Sequence, residues 1–248
     1  PFILDSAKGP KGDMLAAPAL SALAGLSGRA ADEALVKAFP SVREDMKAGL
    51  LENFGVRRSA ICFPTLKENA ESSDAVLKAA ALIGLSMSGL PDAAPILTDM
   101  LSKASDEEKA NAELMVKRLA DDLQDQQSKE SNHGAGLCYL ALYRFAADPQ
   151  LKDVGFDGVR KFPVTEAFDV VMEMMQSGTL SQMSAGSMMG IAKAAIDAGQ
   201  VEQGNKIMEQ VLARLTTPEA VRETVQVLQS MGVDAGFAAR LGVIREWL

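Results

Sequence analysis

Apolar residues recur at intervals of three and four along most of the chain, which is the spacing of one face of an α-helix. The clearest stripe consists of Leu114, Met115, Val116, Leu119 and Leu123, and charged residues fill the opposite face of the same segment. No run of alternating β-branched residues stands above this pattern. We therefore predict an all-α fold, an irregular multi-helix bundle or short α-solenoid of about ten to twelve helices.

Capping patterns predict where several of these helices start. Three segments place a hydroxyl side chain three residues before a glutamate, namely Ser41–Glu44, Ser105–Glu108 and Thr216–Glu219. In a capping box each of these two side chains satisfies a free backbone N–H of the other residue. We predict a helix start at each segment, and helix ends at the glycines and prolines that separate the apolar stripes.

The segment 148–163 differs from the rest of the chain in composition. It combines proline, glycine and charged residues, and its apolar positions show no clear helical period. Such segments are typical of connections between structured regions. We predict that it joins an N-terminal helical half, residues 1–147, to a C-terminal helical half, residues 164–248.

Two segments resemble helical repeats. Residues 74–101 are similar to a HEAT unit, with a helix that opens at Asp74, a close approach at Gly84 and a second helix over residues 91–101. The residues expected to pack inward in its first helix are Ala79, Ala80 and Leu82. A second partial unit begins at Asp106, with Ala112, Met115 and Leu119 in similar places.

Residues 190–218 are similar to a tetratricopeptide unit. Ala192 and Gly204 are small residues at the expected close helix contacts, and Gly199 lies at the expected turn. The two resemblances cover about a third of the chain and imply stacked helix pairs. The repeat period is not sustained, so we expect an irregular bundle with solenoid-like portions.

Composition agrees with helix packing and narrows the class of partner. Hydrophobic residues make up 48% of the 248 residues, but aromatic residues only 5%. Helices favour this mixture more than sheets do. The formal net charge of -8 argues against binding of nucleic acid through its phosphate backbone. We expect the partner to be another protein, for example one of its helices.

The expected location follows from the same features. No apolar segment is long enough to span a bilayer, and the apolar part of the N-terminus is too short for a signal peptide. Cys62 and Cys138 lie far apart in apolar contexts and are predicted to be buried free thiols. We expect a cytoplasmic protein, or one secreted without a cleavable signal peptide. The start at Pro1 is also consistent with a processed fragment of a longer protein.

Candidate chemistry centres on one segment, "SNHGAGLCYLALY", which holds the only histidine, His133, and the cysteine Cys138. Its Gly136, Leu137 and Cys138 resemble the nucleophile segment of papain-like cysteine proteases, in which a thiolate lies at a helix start. Those enzymes take their histidine from a position well after the cysteine, and this chain has none there. The alternatives are a Cys138–His133 pair brought together by a loop, or a helix capped by Ser131 or Asn132.

The sequence gives less support to a metal site, a phosphate-binding loop or carboxylate acid–base catalysis. One histidine and two separated cysteines cannot complete a four-ligand zinc shell without carboxylates, so we predict no metal. No glycine-rich loop has the spacing of a phosphate site, so we predict no cofactor. The acidic pairs and runs Asp121–Asp122 and Asp106–Glu108 could serve acid–base chemistry or could form solvated helix faces.

A cluster of methionines gives the strongest indication of a binding surface. The candidate partner-binding residues are Met172, Met175, Met183, Met188 and Met189. Methionine adapts to surfaces of varied shape, so the cluster favours a groove for a partner helix, with core packing as the alternative.

The sequence as a whole therefore favours a non-catalytic protein-interaction module, acting as scaffold, adaptor or regulator. One alternative is a secreted bacterial effector or secretion regulator of helical-bundle type. Another is an enzyme that uses carboxylates or a Cys138–His133 pair. A deep pocket with converging Asp, Glu, Ser or Cys would favour the enzyme, and a shallow apolar groove with methionine would favour binding.

Overall fold

A computed structural model describes residues 28–170, 185–197 and 199–214, with Ala22, Gly25 and Leu26 as isolated positions before them. Over these residues the chain is helical and contains no β-strand, which confirms the predicted all-α multi-helix fold. Backbone contacts divide the chain into two compact units, Pro1–Gly155 and Phe156–Leu248. This division lies within the segment 148–163 that was predicted to connect two halves.

The described residues form ten α-helices, of which the last two belong wholly to the second unit. They are α1 (Arg29–Ala38), α2 (Glu44–Val56), α3 (Phe63–Ala70), α4 (Ala75–Met87), α5 (Ala94–Lys103), α6 (Asp106–Gln124), α7 (Lys129–Phe145), α8 (Pro149–Lys161), α9 (Ala185–Asp197) and α10 (Val201–Arg214). Short 3-10 turns occupy Phe39–Ser41, Pro91–Ala93 and Thr165–Ala167. In the first unit α4 packs on α2, α3 and α6, and α6 also packs on α5 and α7.

Capping side chains fix the starts of α4 and α6 at the residues predicted from the sequence. Ser105 and Glu108 form the predicted capping box at α6, in which Glu108 Oε2 accepts a hydrogen bond of 3.1 Å from the Ser105 N–H. Asp74 opens α4 as predicted, because its Oδ1 accepts from the backbone N–H groups of Val76 at 2.8 Å and Leu77 at 3.2 Å. These contacts satisfy donors that have no partner inside the helix.

The predicted capping box at Ser41–Glu44 is wrong. Ser41 ends a 3-10 turn that contains Pro40, and Arg43 is the residue before α2, with no side-chain cap. Proline fixes the backbone in this tight turn, so the chain enters the helix later than the Ser–Glu spacing requires. The third predicted box, Thr216–Glu219, lies outside the described residues.

Leucine supplies most of the core of the first unit. Ten leucines from α1 to α7 are at most 1% exposed, namely Leu35, Leu50, Leu51, Leu66, Leu85, Leu97, Leu101, Leu119, Leu123 and Leu142. The predicted stripe of α6 is wrong at one position, because Leu114 is 61% exposed. Its neighbour Glu113 is buried instead and accepts a hydrogen bond from the backbone N–H of Ala147.

Two glycines bring α2 and α4 into backbone contact. A Cβ atom at Gly84 would lie 2.6 Å from the Leu51 carbonyl oxygen and 2.7 Å from Leu66 Cδ2, and one at Gly55 would overlap the Gly84 backbone. No side chain larger than hydrogen fits at this crossing. The close approach predicted at Gly84 is therefore present.

Residues 148–163, expected to lack a helical period, contain the continuous helix α8. Pro149 begins it, and the Asp148 carboxylate accepts from the Gln150 N–H at 2.8 Å. Its buried positions include Gly155, Gly158 and Val159, and Phe162 directly after it is buried as well. These positions have helical spacing. Because two of them are glycines, which do not count as hydrophobic, the pattern of hydrophobic residues did not show the helical period.

The second unit contains a tight helix pair, α9 and α10. Gly199 lies between the two helices with a φ of 83°, a left-handed conformation that glycine adopts without strain. A Cβ atom at Gly204 would lie 2.6 Å from the Ala192 carbonyl oxygen and 2.5 Å from Ile196 Cγ1. The small residues and the turn glycine thus lie where the tetratricopeptide-like pattern placed them, while membership of a repeat family stays a prediction.

Candidate interaction groove

The segment around Cys138 and His133 is part of one helix and forms no catalytic pair. Helix α7 begins at Lys129, and Ser128, not Ser131 or Asn132, caps it by accepting from the Ser131 N–H at 3.0 Å. Gly134 and Gly136 lie inside the helix and make no loop. Cys138 and His133 are five residues apart, which separates their side chains by about 140° around the axis. His133 is exposed and Cys138 is fully buried.

Both cysteines are free thiols held in the protonated form. Burial raises the pKa of the Cys138 thiol well above its usual range. Burial, reinforced by the negative charge of Asp32, raises the pKa of Cys62 to about 11. Since the thiolate is the nucleophile, neither group is prepared for nucleophilic chemistry.

Three of the five carboxylates that were considered for acid–base chemistry have structural partners, namely Asp121, Asp122 and Glu108. Asp122 binds Arg58 at 2.8 Å, and Asp121 binds Lys117 at 2.6 Å within α6. Glu108 is held by Ser105, whose side-chain and backbone hydrogen bonds lower the pKa of the Glu108 carboxyl. Asp106 and Glu107 are exposed in the first turn of α6.

Only two of the candidate methionines can be placed. Met188 and Met189 in α9 are 5% and 0% exposed, so they pack in the interior of the second unit and do not line an open surface. Met172, Met175 and Met183 lie outside the described residues. The two methionines that the structure describes therefore do not form the predicted groove.

A different groove lies in the first unit, between α4, α5 and the N-terminal half of α6. Helices α4 and α5 both pack on α6 but contact each other only sparsely, so the space between them opens outward. The end of α3 contributes Ala70 and Glu71 to one side. The groove has a volume of about 700 Å³.

The groove has an apolar lining. Its central apolar residues are Ala79, Leu82, Ile96, Met100, Ala112 and Met115. Ile96, Met100 and Met115 are half-buried, and Ala79 is exposed, although Ala79 was predicted to pack inward. Ala80 and Leu82 are buried as predicted. This surface was not predicted from the sequence, because it is formed by the mutual packing of three successive helices, which the residue spacing within any one helix does not specify.

The packing around the groove holds it open. Leu97, Leu101 and Leu119 on the adjacent helix faces are fully buried. A bond of 3.1 Å from Lys109 Nζ to the Leu101 carbonyl oxygen joins α6 to the end of α5. The backbone crossing at Gly84 fixes α4 against α2. The groove walls are therefore parts of packed helices and not of loops.

Charged side chains also line the groove. They are Glu71, Lys78, Asp99, Lys103, Glu107 and Glu108. Lys103 binds Asp99 at 2.8 Å within α5, and the positive charge of Lys78 acts on Glu108 across the groove and helps to lower the pKa of that carboxyl. An apolar lining with charged edges is the arrangement of surfaces that accept amphipathic helices.

The described residues contain no group of three or more His, Cys, Asp or Glu that could hold a metal ion. None of the helices described is long and apolar enough to cross a membrane. Comparison of the chain with family models, curated proteins and solved structures gave no match. Over the residues that the structure describes, the fold is an all-helical one of ten α-helices, with an open groove in its first unit.

Proposed function

We propose that this chain is a non-catalytic protein-interaction module, a scaffold, adaptor or regulator, whose α4–α5–α6 groove binds a short helical segment of a partner protein. The groove itself carries this proposal, because it is open, apolar at its centre and contains Met100 and Met115. A bound helix with apolar residues at i, i+3 or i+4, and i+7 extends its anchors over about 10 Å, which is two turns.

The apolar lining provides the driving force for such binding. Each apolar side chain that a partner buries contributes about 1.5–3 kcal/mol before the costs of association. Three such anchors suit a reversible, regulated contact better than a permanent one. The half-buried state of Ile96, Met100 and Met115 leaves surface on each residue for a partner to cover.

The arrangement of polar groups favours binding over catalysis. An enzyme needs a nucleophile or general base that converges with other polar groups in a sheltered pocket. Here Asp99 forms an ion pair with Lys103, and Glu108 accepts a hydrogen bond from the Ser105 N–H. Cys138 is buried in α7, whereas His133 lies on the exposed surface of that helix. The groove offers contact area and no set of converging reactive groups among the described residues.

A peptide selection tests this function. A phage-displayed library of random peptides is selected on the full chain, and affinities of the selected peptides are measured for two variants. Ala79→Asp places a carboxylate in the apolar lining, and Ala110→Asp makes the same change at another exposed position of a helix, in α6 outside the groove. Both substitutions have the same intrinsic helix cost.

We expect the selected peptides to bind Ala79→Asp at least about tenfold more weakly, because the new carboxylate must be desolvated against an apolar face. Ala110→Asp should bind like the parent chain. Selected peptides that bind both variants equally would show that the groove is not the interaction site.

A further inference from the structure

The charges around the groove do not balance. The lining contains four carboxylates, Glu71, Asp99, Glu107 and Glu108, but only two ammonium groups, Lys78 and Lys103. Lys103 forms an ion pair with Asp99, and the positive charge of Lys78 helps to lower the pKa of the Glu108 carboxyl. Among the described residues, neither Glu71 nor Glu107 forms an ion pair. Two negative charges are therefore left for a ligand to meet.

The helix dipoles act in opposite senses on the charges of these two carboxylates. Glu107 lies in the first turn of α6, where the partial positive charge of about half a unit at the helix N-terminus stabilises it. Glu71 is the C-terminal capping residue of α3, where the dipole has the same sign as the carboxylate. Glu71 thus occupies a position that its own helix disfavours, and a cationic group on a ligand would complement its charge.

We propose that the groove selects a basic amphipathic helix of a partner protein, one whose apolar face is flanked by lysine or arginine side chains that meet Glu71 and Glu107. This inference rests on the proposed function and adds the chemistry of the partner. The apolar face covers Ala79, Met100 and Met115, and the basic flank supplies the cations that the groove edge lacks. The chain's net charge of -8 also attracts a basic partner and opposes binding of a second copy.

The test uses two labelled peptides and fluorescence anisotropy with the full chain. The first is an amphipathic peptide of about five helical turns with leucines on one face and lysines on both flanks. The second has glutamate at every lysine position. We expect the lysine peptide to bind at least about tenfold more tightly than the glutamate peptide.

Variants then separate a binding role of Glu71 from a structural one. Glu71→Gln should weaken binding of the lysine peptide about threefold or more, without lowering the thermal midpoint, because it removes a carboxylate that the α3 dipole disfavours. The matched control is Glu52→Gln, the same change at an exposed position of α2 outside the groove. It should leave binding of the lysine peptide unchanged.

The remaining outcomes are also decisive. Equal binding of the two peptides, with both abolished by Ala79→Asp, would overturn the preference for a basic helix and leave the groove as the interaction site. Equal effects of Glu71→Gln and Glu52→Gln would also overturn it, since the effect would then be one of net charge. Binding that is insensitive to Ala79→Asp would overturn the proposed function as well.

Discussion

Asp32 and Glu33 are consecutive carboxylates in α1 that both form ion pairs, but only one of these pairs is buried. Asp32 binds Arg57 at 2.5 Å, with side-chain exposures of 10% and 5%, whereas Glu33 binds Arg29 at 2.8 Å with exposures of 53% and 83%. Removing one partner of a buried pair leaves an uncompensated charge in the interior, and an exposed pair is screened by water.

The two residues therefore form a matched mutational pair. We expect Asp32→Asn to lower the free energy of unfolding by about 3 kcal/mol and Glu33→Gln to change it by less than about 0.5 kcal/mol. Urea denaturation of the full chain measures both values. Similar small values for the two variants would mean that Arg57 finds an equivalent partner when Asp32 is neutral.

The reactivity of Cys138 tests whether the segment that contains His133 and Cys138 is structural or catalytic. Because the Cys138 thiol is fully buried and its pKa is raised by that burial, iodoacetamide should not modify it in the native state at neutral pH. In guanidinium both Cys138 and Cys62 should react, and peptide mass spectrometry reports each site separately. Rapid native alkylation of Cys138 would revive the nucleophile hypothesis.

At the scale of whole elements, the position of α4 depends on its glycine crossing with α2. An added methyl at Gly84 would overlap the Leu51 carbonyl oxygen, and backbone atoms cannot move aside as a flexible side chain can. We expect Gly84→Ala to destabilise the chain by about 2–3 kcal/mol, as overpacking in a core does. It should also weaken peptide binding, because Ala79 and Leu82 on α4 line the groove.

The control for this variant is Gly25→Ala. Gly25 is exposed and has no atom within 4 Å of an added Cβ, so alanine there should change the free energy of unfolding by less than about 1 kcal/mol. Thermal unfolding compares the two variants directly. Equal stability of Gly84→Ala and the parent chain would show that α2 and α4 can separate without cost.

Helix type and several helix starts could be predicted from sequence, because capping and periodicity are local properties. The Ser105–Glu108 box and the cap at Asp74 depend on residues within one turn. The connection predicted over 148–163 was a helix, since its buried face includes Gly155 and Gly158. The burial of Glu113 was equally invisible, because its partner is the backbone of Ala147, 34 residues away.

The groove was missed for a related reason. In α5 the apolar residues form two stripes, of which Leu97 and Leu101 are buried and Ile96 and Met100 are half-buried. The second stripe is a sequence signal, since it makes the apolar face wider than core packing alone requires. Which stripe faces solvent depends on how α4 and α5 both pack on α6, and spacing within one helix does not contain that information.

At the scale of the molecule, the groove and the two described candidate methionines lie in different compact units. The groove belongs to the first unit, whereas Met188 and Met189 of the second unit are buried. A charged substitution at Met188 would therefore disturb packing and could not report on binding alone. Exposed Ala79, with Ala110 as its match, is the position that separates partner binding from folding.

The net charge of -8 gives the last prediction, which concerns the rate of association. A basic helix approaching this chain is steered by long-range attraction, which salt screens over a Debye length that falls from about 10 Å at 0.1 M to about 3 Å at 1 M. Raising the salt concentration over this range should slow association of the lysine peptide about tenfold or more, with a smaller increase in the dissociation rate as the contacts with Glu71 and Glu107 are screened.

Stopped-flow anisotropy measures both rate constants, and the glutamate peptide is the control, because salt should speed its association. The contact between the apolar lining and leucine side chains does not weaken with salt, so the dissociation rate at high salt, where the charged contacts are screened, reports that part of the interaction. If salt instead accelerated dissociation and left association unchanged, the charges would act as close ion pairs in the bound state. The excess of carboxylates at the groove edge would then contribute to bound-state stability and not to steering.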